Sequence, residues 1–569
     1  MRHLTHLTAT VAALAGSIAA APAVAIELIE LDDIIVSAGQ EPRAAGRTGA
    51  TVTTATAEQV QATGELSLTE YLARMPGVGI LSRGGLGGQT SFTLRGVSQN
   101  YVKVLVDGID VSDPSAPQVA FNMGRLTGLG FGRLELLRGS QSAVHGGQAV
   151  AGVLSFESPV REALGSEQTA TFEVGSYGTV SLGYEYAQRT ETGSVSIAVS
   201  QVHTDGYSAK TTDTEADGYD ATRLSVKGET TLENGVTLGF SAFAEVSDGD
   251  YDPYFPGDVE SDDETSHQTT AGVRAYARFD VGTVEHEVSA SHFSMERSLY
   301  GSETYSGYLS ESELDYSGRR STLAWKAATD IGAAGRLVFG ADATRETYSQ
   351  TSDYGYGAET NGASSDVVGV FAEYAHQIGN NIDVVASVRH DDHSVFGGQD
   401  TARLAASWRI DDAWTLRSSL GTGFRAPSGY ELYGPYGSTD LEPEQSQSFD
   451  LGLERALGGN AYVRATLFRI DTDNLIDFSD MGTTSDYSDD GYVQVEGLTR
   501  RQGLELEAAI PLGERFELTA AYTYTDATTP DLSYGNTWSS GFGRHQVALT
   551  LGTKLNDALR LDVAARLVA

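Results

Sequence analysis

Two stretches of the chain concentrate carboxylates at spacings that could hold a metal ion. In "DTEADGYD" (213–220), Asp213, Glu215 and Asp217 fall at i, i+2 and i+4, so an extended backbone points all three the same way. "DGDYDPYFPGDVESDDE" (248–264) adds Asp250, Asp252, Asp262 and Asp263. Calcium takes about six to eight oxygens in a flexible shell, which clustered carboxylates supply. The first stretch begins like an EF-hand loop but does not complete one. Its twelfth position is Leu224 rather than a glutamate, and its flanks alternate like strands. The bland alternative is a solvated acidic loop on an acidic protein.

A different chemistry is offered by "DDIIVSAGQ" (32–40). Ile34, Ile35 and Val36 are consecutive β-branched aliphatics, and no neighbouring stretch of sequence offers to bury them. An extended peptide of this kind presents unpaired N–H and C=O groups and can add as a strand to the edge of a partner's sheet. Other chemistries find no residues. There is no convergent nucleophile–base pair, no His-rich metal motif and no phosphate loop, and the 11 histidines are scattered. The chain is not read as an enzyme.

The elements that must position these groups follow from composition and pattern. The N-terminus reads as an export leader: Arg2, His3 and His6, an Ala-rich apolar run to Ala21, and a small-x-small site at Ala23-Val24-Ala25. Residues 1–25 are expected to be removed. No later run of about 18 apolar residues exists, so no membrane helix is expected. A length of 569 residues points to more than one domain, and the absence of Cys removes disulfides and thiol chemistry. The net charge of −39 excludes non-specific nucleic-acid binding.

Residues 49–160 read as a mixed α/β unit. Ser67 and Glu70 are spaced as a capping box before a short helix that Pro76-Gly77 stops. "SFTLRG" (91–96) and "RLELLRG" (133–139) are strand candidates, and "VKVLVDGIDV" (102–111) reads as a hairpin turning at Asp-Gly. From about residue 165 the period becomes two. In "ARLAASWRI" (402–410), Leu404, Ala406 and Trp408 share one face, and Arg403, Ser407 and Arg409 the other. "LELEAAI" (504–510) and "LRLDVAARL" (559–567) alternate likewise. Tight turns such as Asn234-Gly235 and Asp411-Asp412 largely alternate with long polar loops, near 205–219, 248–266, 425–444 and elsewhere. This is the pattern of an up-and-down transmembrane antiparallel β-barrel, here of about 19 strands. A sheet in lipid must close, and a pore that wide needs filling, for which the N-terminal unit serves as plug.

The segments "LTEYLARMPGV" (68–78), "TLRGV" (93–97), "VLVDGIDV" (104–111), "RLELLRGSQSAVHGGQAVAGVLSF" (133–156), "GFRAPSGYELYGPYGSTDLEPEQSQSFDLGLE" (423–454) and "RRQGLELEA" (500–508) resemble, in this order, those of TonB-dependent outer-membrane receptors. The resemblance implies an all-β barrel of 22 strands with an α/β plug inside its lumen. It implies a Gram-negative outer-membrane location, insertion by the barrel-assembly machinery among outer-membrane lipid, and active transport driven by TonB. The peptide 32–38 then resembles the Ton box, with Asp33, Ile34, Ile35, Val36 and Ser37 as the TonB-binding residues. The domains expected are a signal peptide (1–25), Ton box and linker (26–48), plug (49–160) and barrel (161–569).

Within that family the plug segments 86–102 and 107–122 are most similar to cobalamin receptors. That likeness implies cobalamin as ligand, held by apical plug loops at Gln89, Ser91, Ser98, Ala116 and Pro117. It also implies calcium ions ordering the outer loops, with Asp213, Glu215, Asp217, Asp252 and Asp263 at or near the matching positions; the choice between Asp262 and Asp263 stays open. The alternative ligand is a ferric siderophore, whose receptors often present aromatic and basic residues. Haem is less favoured: "FRAP" (424–427) also occurs in haem receptors, but no His follows from 428 to 440 to serve as axial ligand. A passive porin, from a different class, would need neither plug nor Ton box. The sequence departs from the family at its end, Leu567-Val568-Ala569, where these receptors finish on an aromatic residue, and the strand count falls short of 22. The chain is therefore expected to be C-terminally truncated.

Overall fold

A computed structural model describes residues 34–35, 37–210, 215–252, 264–305, 308–459, 461–479, 490–513, 515–530, 543–556 and 559–569. The leader read at 1–25, and the candidate residues Asp33, Val36, Asp213 and Asp263, lie outside them.

The N-terminal unit is built on a five-stranded mixed sheet, in the order Thr51–Thr56, Arg133–Arg138, Gly152–Glu157, Val102–Val106, Ile109–Asp110. Gly152–Glu157 runs parallel to Val102–Val106 and antiparallel to Arg133–Arg138. A three-stranded sheet, Val78–Arg83, Gln89–Leu94 and Val97–Ser98, packs with it around Phe92, Leu94, Val104, Leu134, Leu136 and Leu154. The Asp-Gly hairpin forms as expected: Val106 pairs with Ile109, and Asp107 and Gly108 both take positive φ, 48° and 79°. The capping box expected at Ser67 does not form. The helix Leu68–Leu72 starts there, but the Ser67 hydroxyl lies 2.5 Å from that of Thr69, and the helix's first N–H donates to the Leu126 carbonyl. Ser67 itself bridges to Thr127, so a tertiary contact has taken the place of the local cap. Capping boxes occur instead at Thr56/Gln59 and Ser428/Glu431.

Nineteen strands, from Gly165–Val174 to Leu559–Val568, form one antiparallel sheet in chain order, with a small hairpin (Ile476–Ser479, Gly491–Gln494) standing apart between two of them. Alternation works as read. Arg403 and Ser407 are buried, while Leu404 and Trp408 are open on the outer surface. With an odd number of consecutive antiparallel strands the first and last run in the same sense. Among the described residues no ladder joins them. Among the described residues these two end strands are therefore not paired with each other, and both are largely exposed.

The mixed unit sits in the lumen, and charge holds it there. Arg95 and Arg138, at the ends of two plug strands, are fully buried. Arg95 forks onto Glu505 at 2.9 and 2.9 Å and also bonds Asp450. Arg138 bonds Glu505 and Glu507 at 3.2 and 3.1 Å. Tyr101 donates to Glu444 at 2.8 Å, and Arg501 reaches the Gly96 carbonyl at 3.1 Å. Glu505 and Glu507 alternate with outward-facing Leu504 and Leu506 on the strand Thr499–Leu512, which is why "LELE" reads as a plug-gripping segment.

Candidate functional site

Gln89, Ser91, Ser98, Ala116 and Pro117 all line one cavity of about 1150 Å³ between the plug loops and the barrel wall. Local turns set their positions. The Asp113 carboxylate accepts from the Ser115 N–H and hydroxyl, both at 2.7 Å, and so rounds the loop that presents Ala116 and Pro117. The Ser428 hydroxyl then ties the Pro117 carbonyl to the barrel at 2.6 Å. The Asn122 side chain accepts from Thr90 N–H (3.2 Å) and Gly124 N–H (3.1 Å), joining the two apical loops.

The sequence reading missed the cavity's cations and much of its aromatic lining. Arg125 is buried at its wall. Its Nη1 and Nη2 donate only to hydroxyls, of Ser247 (2.7 Å) and Ser266 (3.4 Å), and its Nε has no hydrogen-bond partner among the described residues. Burial pushes its pKa down and Arg297 adds to the push, while Tyr219, Glu245 and Asp113 oppose it. Arg223, by contrast, is paired with Glu245 at 3.1 Å and stacked on Phe243. Phe243, Phe293, Phe478 and Tyr492 complete an apolar lining. Above it, edge-to-face contacts link Tyr348 to Tyr430 (6.0 Å), Tyr430 to Tyr492 (6.2 Å) and Tyr492 to Phe478 (5.4 Å). The "FRAPSGYELY" motif builds this cluster. Arg425, buried, bonds both Glu431 and Glu444 (2.7–3.0 Å), and the Ser428 cap starts the short helix carrying Tyr430. Inward-facing strand positions were readable by alternation; which of them converge was not.

The acidic loops meet. Glu215, Asp217 and Asp252 each bring a carboxylate oxygen within 4.8 Å of the other two. Asp217 is 6% exposed, and its Oδ2 accepts from Ala209 N–H at 3.0 Å. Asp252 Oδ2 accepts from Lys210 N–H at 2.9 Å and Ser208 Oγ at 3.2 Å. The Oδ1 atoms of both are buried without hydrogen-bond partners among the described residues. Burial raises the Asp217 pKa, and the neighbouring Asp252 charge raises it further. Three carboxylates brought together, two of them with a buried oxygen lacking a hydrogen-bond partner, are what a divalent cation would complete, so the residues fit calcium.

The aliphatic peptide is not left uncovered, contrary to the reading above. Ile34–Ile35 pairs antiparallel with Arg43–Ala44, so its backbone groups already have partners. Ile35 is 1% exposed, packed in a cluster with Val52, Leu105, Leu137 and Val153. Its cover comes from plug strands distant in sequence. Ser37 donates twice to Glu135 Oε2, from N–H (3.0 Å) and Oγ (2.5 Å). Its carbonyl accepts from His145 Nε2 at 2.8 Å, which fixes the protonated ring nitrogen. Burial pushes the His145 pKa down to about 4, so the ring is neutral.

Two family models match the chain: "TonB dependent receptor-like, beta-barrel" over residues 184–566 and "TonB-dependent Receptor Plug Domain" over 45–153. Three solved structures illustrate the fold. The ferripyoverdine receptor of Pseudomonas aeruginosa bound to ferripyoverdine is 14% identical, with a TM-score of 0.76 over 94% of this chain and 78% of that one. The siderophore receptor PirA of Acinetobacter baumannii is 15% identical, with a TM-score of 0.71 over 91% and 87%. A mutant of the ferric enterobactin receptor PfeA of Pseudomonas aeruginosa is 16% identical, with a TM-score of 0.70 over 90% and 85%. Likeness at such identities is a likeness of fold.

Proposed function

This chain belongs to the TonB-dependent receptors, and from that premise we propose that it imports an anionic metal chelate of the ferric-siderophore type. It is a plugged β-barrel of the Gram-negative outer membrane and a transporter, not an enzyme. The observation that carries the ligand reading is Arg125, a buried cation on the cavity wall whose hydrogen bonds go to hydroxyls alone and whose carboxylate neighbours, Glu245 and Asp113, act on it without a hydrogen bond. Such a group is costly unless a negative charge joins it, and an anionic ligand supplies one. The aromatic lining suits the organic frame of a chelate. The three solved relatives are named as siderophore receptors, which adds support of the same kind.

Cobalamin is the second reading. It draws on the five plug residues around the cavity and on the Glu215–Asp217–Asp252 cluster, which we propose binds calcium. We further propose Asp33, Ile34, Ile35, Val36 and Ser37 as the core of a Ton box, of which Ile34, Ile35 and Ser37 are described, captured by TonB through strand addition once it leaves the plug.

Titration of the purified full chain with ferripyoverdine, ferric enterobactin and cobalamin separates the readings. The expected result is heat with a ferric chelate, weakened about 30-fold by Arg125→Ala, the cost of losing a desolvated charge pair. Heat with cobalamin alone, unaffected by Arg125→Ala, would reverse the assignment.

A further inference from the structure

The ligand cavity has two poles. Arg125 stands on one wall, hydrogen-bonded to Ser247 and Ser266 on the strands Thr237–Asp250 and Thr265–Val281. About half the sheet away, the small hairpin Ile476–Ser479 and Gly491–Gln494 stands between the strands Ala461–Asp473 and Thr499–Leu512. It brings Asp477 to the same cavity, with Phe478 and Tyr492 also in the lining.

Five carboxylates line this cavity, and they differ in their partners. Asp113 faces Arg297 at 3.5 Å, Glu157 faces Lys227 at 2.8 Å, and Glu245 faces Arg223 at 3.1 Å. Asp250 is exposed. Asp477 is half-buried, accepts from Phe478 N–H at 2.9 Å, and has no cation partner among the described residues. The charge that acts on it is that of Glu444, which has the same sign. Arg501 lines the cavity too, but it reaches the carbonyls of Gly96, Arg500 and Thr528 instead. A carboxylate withdrawn from water beside a like charge is costly until a cation joins it.

The flanking sequence carries the same demand. Residues 251–264 and 474–498 each include cavity-lining positions, Tyr251 in the first and Leu475 to Phe478 in the second. Each stretch contains six acids and no Lys or Arg, in a chain of net charge −39. A polyanion is repelled by such a field, whereas a cargo with a cationic group is drawn into it. We infer that the cargo is amphoteric: a ferric chelate whose anionic part meets Arg125 and which also carries a basic side arm, an ammonium or guanidinium, that Asp477 receives. The inference rests on the uptake reading above and narrows its substrate class. The metal-bearing body then lies between the two poles, against the aromatic lining.

Four ferric complexes on one trihydroxamate frame test this by titration of the purified full chain. They are those of desferrioxamine B, whose arm ends in an ammonium; of its uncharged N-acetyl derivative; of its N-succinyl derivative, whose arm ends in a carboxylate; and of desferrioxamine G, which bears both groups. The ammonium should tighten binding about tenfold, the worth of one charge-assisted bond, and the compound with both groups should bind tightest. Asp477→Asn keeps an acceptor for Phe478 N–H and should erase the ammonium's gain alone. Arg125→Ala should erase the carboxylate's gain alone. Added salt should slow association of the ammonium compound and leave that of the acetylated one unchanged. Equal affinity for the ammonium and acetyl compounds, or a preference that survives Asp477→Asn, overturns the inference. So does binding of ferric enterobactin, an anion with no basic arm, where none of the four binds; the uptake reading then still stands. Heat with no ferric chelate at all removes both.

Discussion

Ser37 and Glu135 are joined by two bonds to one oxygen: the Ser37 N–H at 3.0 Å and its hydroxyl at 2.5 Å both reach Glu135 Oε2. Ninety-eight residues separate them in sequence. The carboxylate therefore stores the proposed TonB-binding peptide against the plug, its backbone paired and Ile35 buried. An edge that could recruit a foreign strand is kept covered until something pulls or loosens it.

Removing that carboxylate should loosen the peptide without unfolding the plug. Glu135→Ala deletes the acceptor of two charge-assisted bonds, each worth about 1.5–3 kcal/mol. Amide hydrogen exchange at Ile35 and Ser37 should accelerate at least tenfold on that scale, while the strand Gly152–Glu157 keeps its protection. Glu135→Gln retains an acceptor and should fall between. Unchanged exchange in Glu135→Ala would mean that the apolar contacts of Ile35 hold the peptide alone.

Acid should weaken the same region through His145. Its folded pKa is about 4, against 6.5 for the unfolded chain, because burial disfavours the imidazolium. Between those values the unfolded state binds the extra proton. Stability is therefore lost as pH falls from 6.5 to about 4 and changes no further below, by about 3 kcal/mol in total. Hydrogen exchange of Arg133–Arg138 across pH 7 to 4, corrected for intrinsic rates, reads this loss. His145→Gln keeps an N–H donor for the Ser37 carbonyl but does not titrate, and should flatten the profile. An identical profile in that variant would place the acid sensitivity elsewhere.

What was legible in sequence was local. The alternation of Arg403 and Ser407 against Leu404 and Trp408 needs only the two-residue period of a strand. The Asp107-Gly108 turn needs only two residues that tolerate positive φ. What was illegible is tertiary. Ile35 looked uncovered because Leu105, Leu137 and Val153 lie far along the chain. Arg125 gave no signal, since it sits in a single 3-10 turn and its hydroxyl partners are 122 and 141 residues away. Ser67 carried a local cap signature that a bridge to Thr127 displaced. The acidic cluster was half legible. The spacing of Glu215 and Asp217 was visible, but their meeting with Asp252 is a tertiary contact that spacing does not encode.

Arg95 should be among the most costly residues to remove. Its truncation leaves Asp450 and Glu505 buried with Arg138 as their remaining plug cation, and breaking a buried pair from one side costs about 3–5 kcal/mol. Arg95→Ala should lower the urea concentration at which plug strands lose exchange protection, with the barrel strands unaffected. Arg345 and Asp366 form an exposed pair on the barrel, so Asp366→Asn should leave that midpoint in place. Equal responses in the two variants would show that the lumenal network contributes little to seating the plug.

Calcium binding at the outer cluster should depend on Asp217 more than on its acidic neighbours. Asp217→Asn preserves shape and can still accept from Ala209, but it removes one of three convergent charges and one orphaned oxygen. Because affinity in such sites tracks the number of charged ligands, calcium titration of the full chain should show binding weakened about tenfold or more. Asp250 is the comparison. Its Oδ2 bonds Gly218 N–H at 3.2 Å, and it is not one of the three converging carboxylates, so Asp250→Asn should change the affinity far less. Equal effects would indicate diffuse attraction by an acidic surface, and no calcium heat in the unmodified chain would overturn the site. Burial and the neighbouring Asp252 charge both raise the Asp217 pKa, and a bound cation relieves both costs at once.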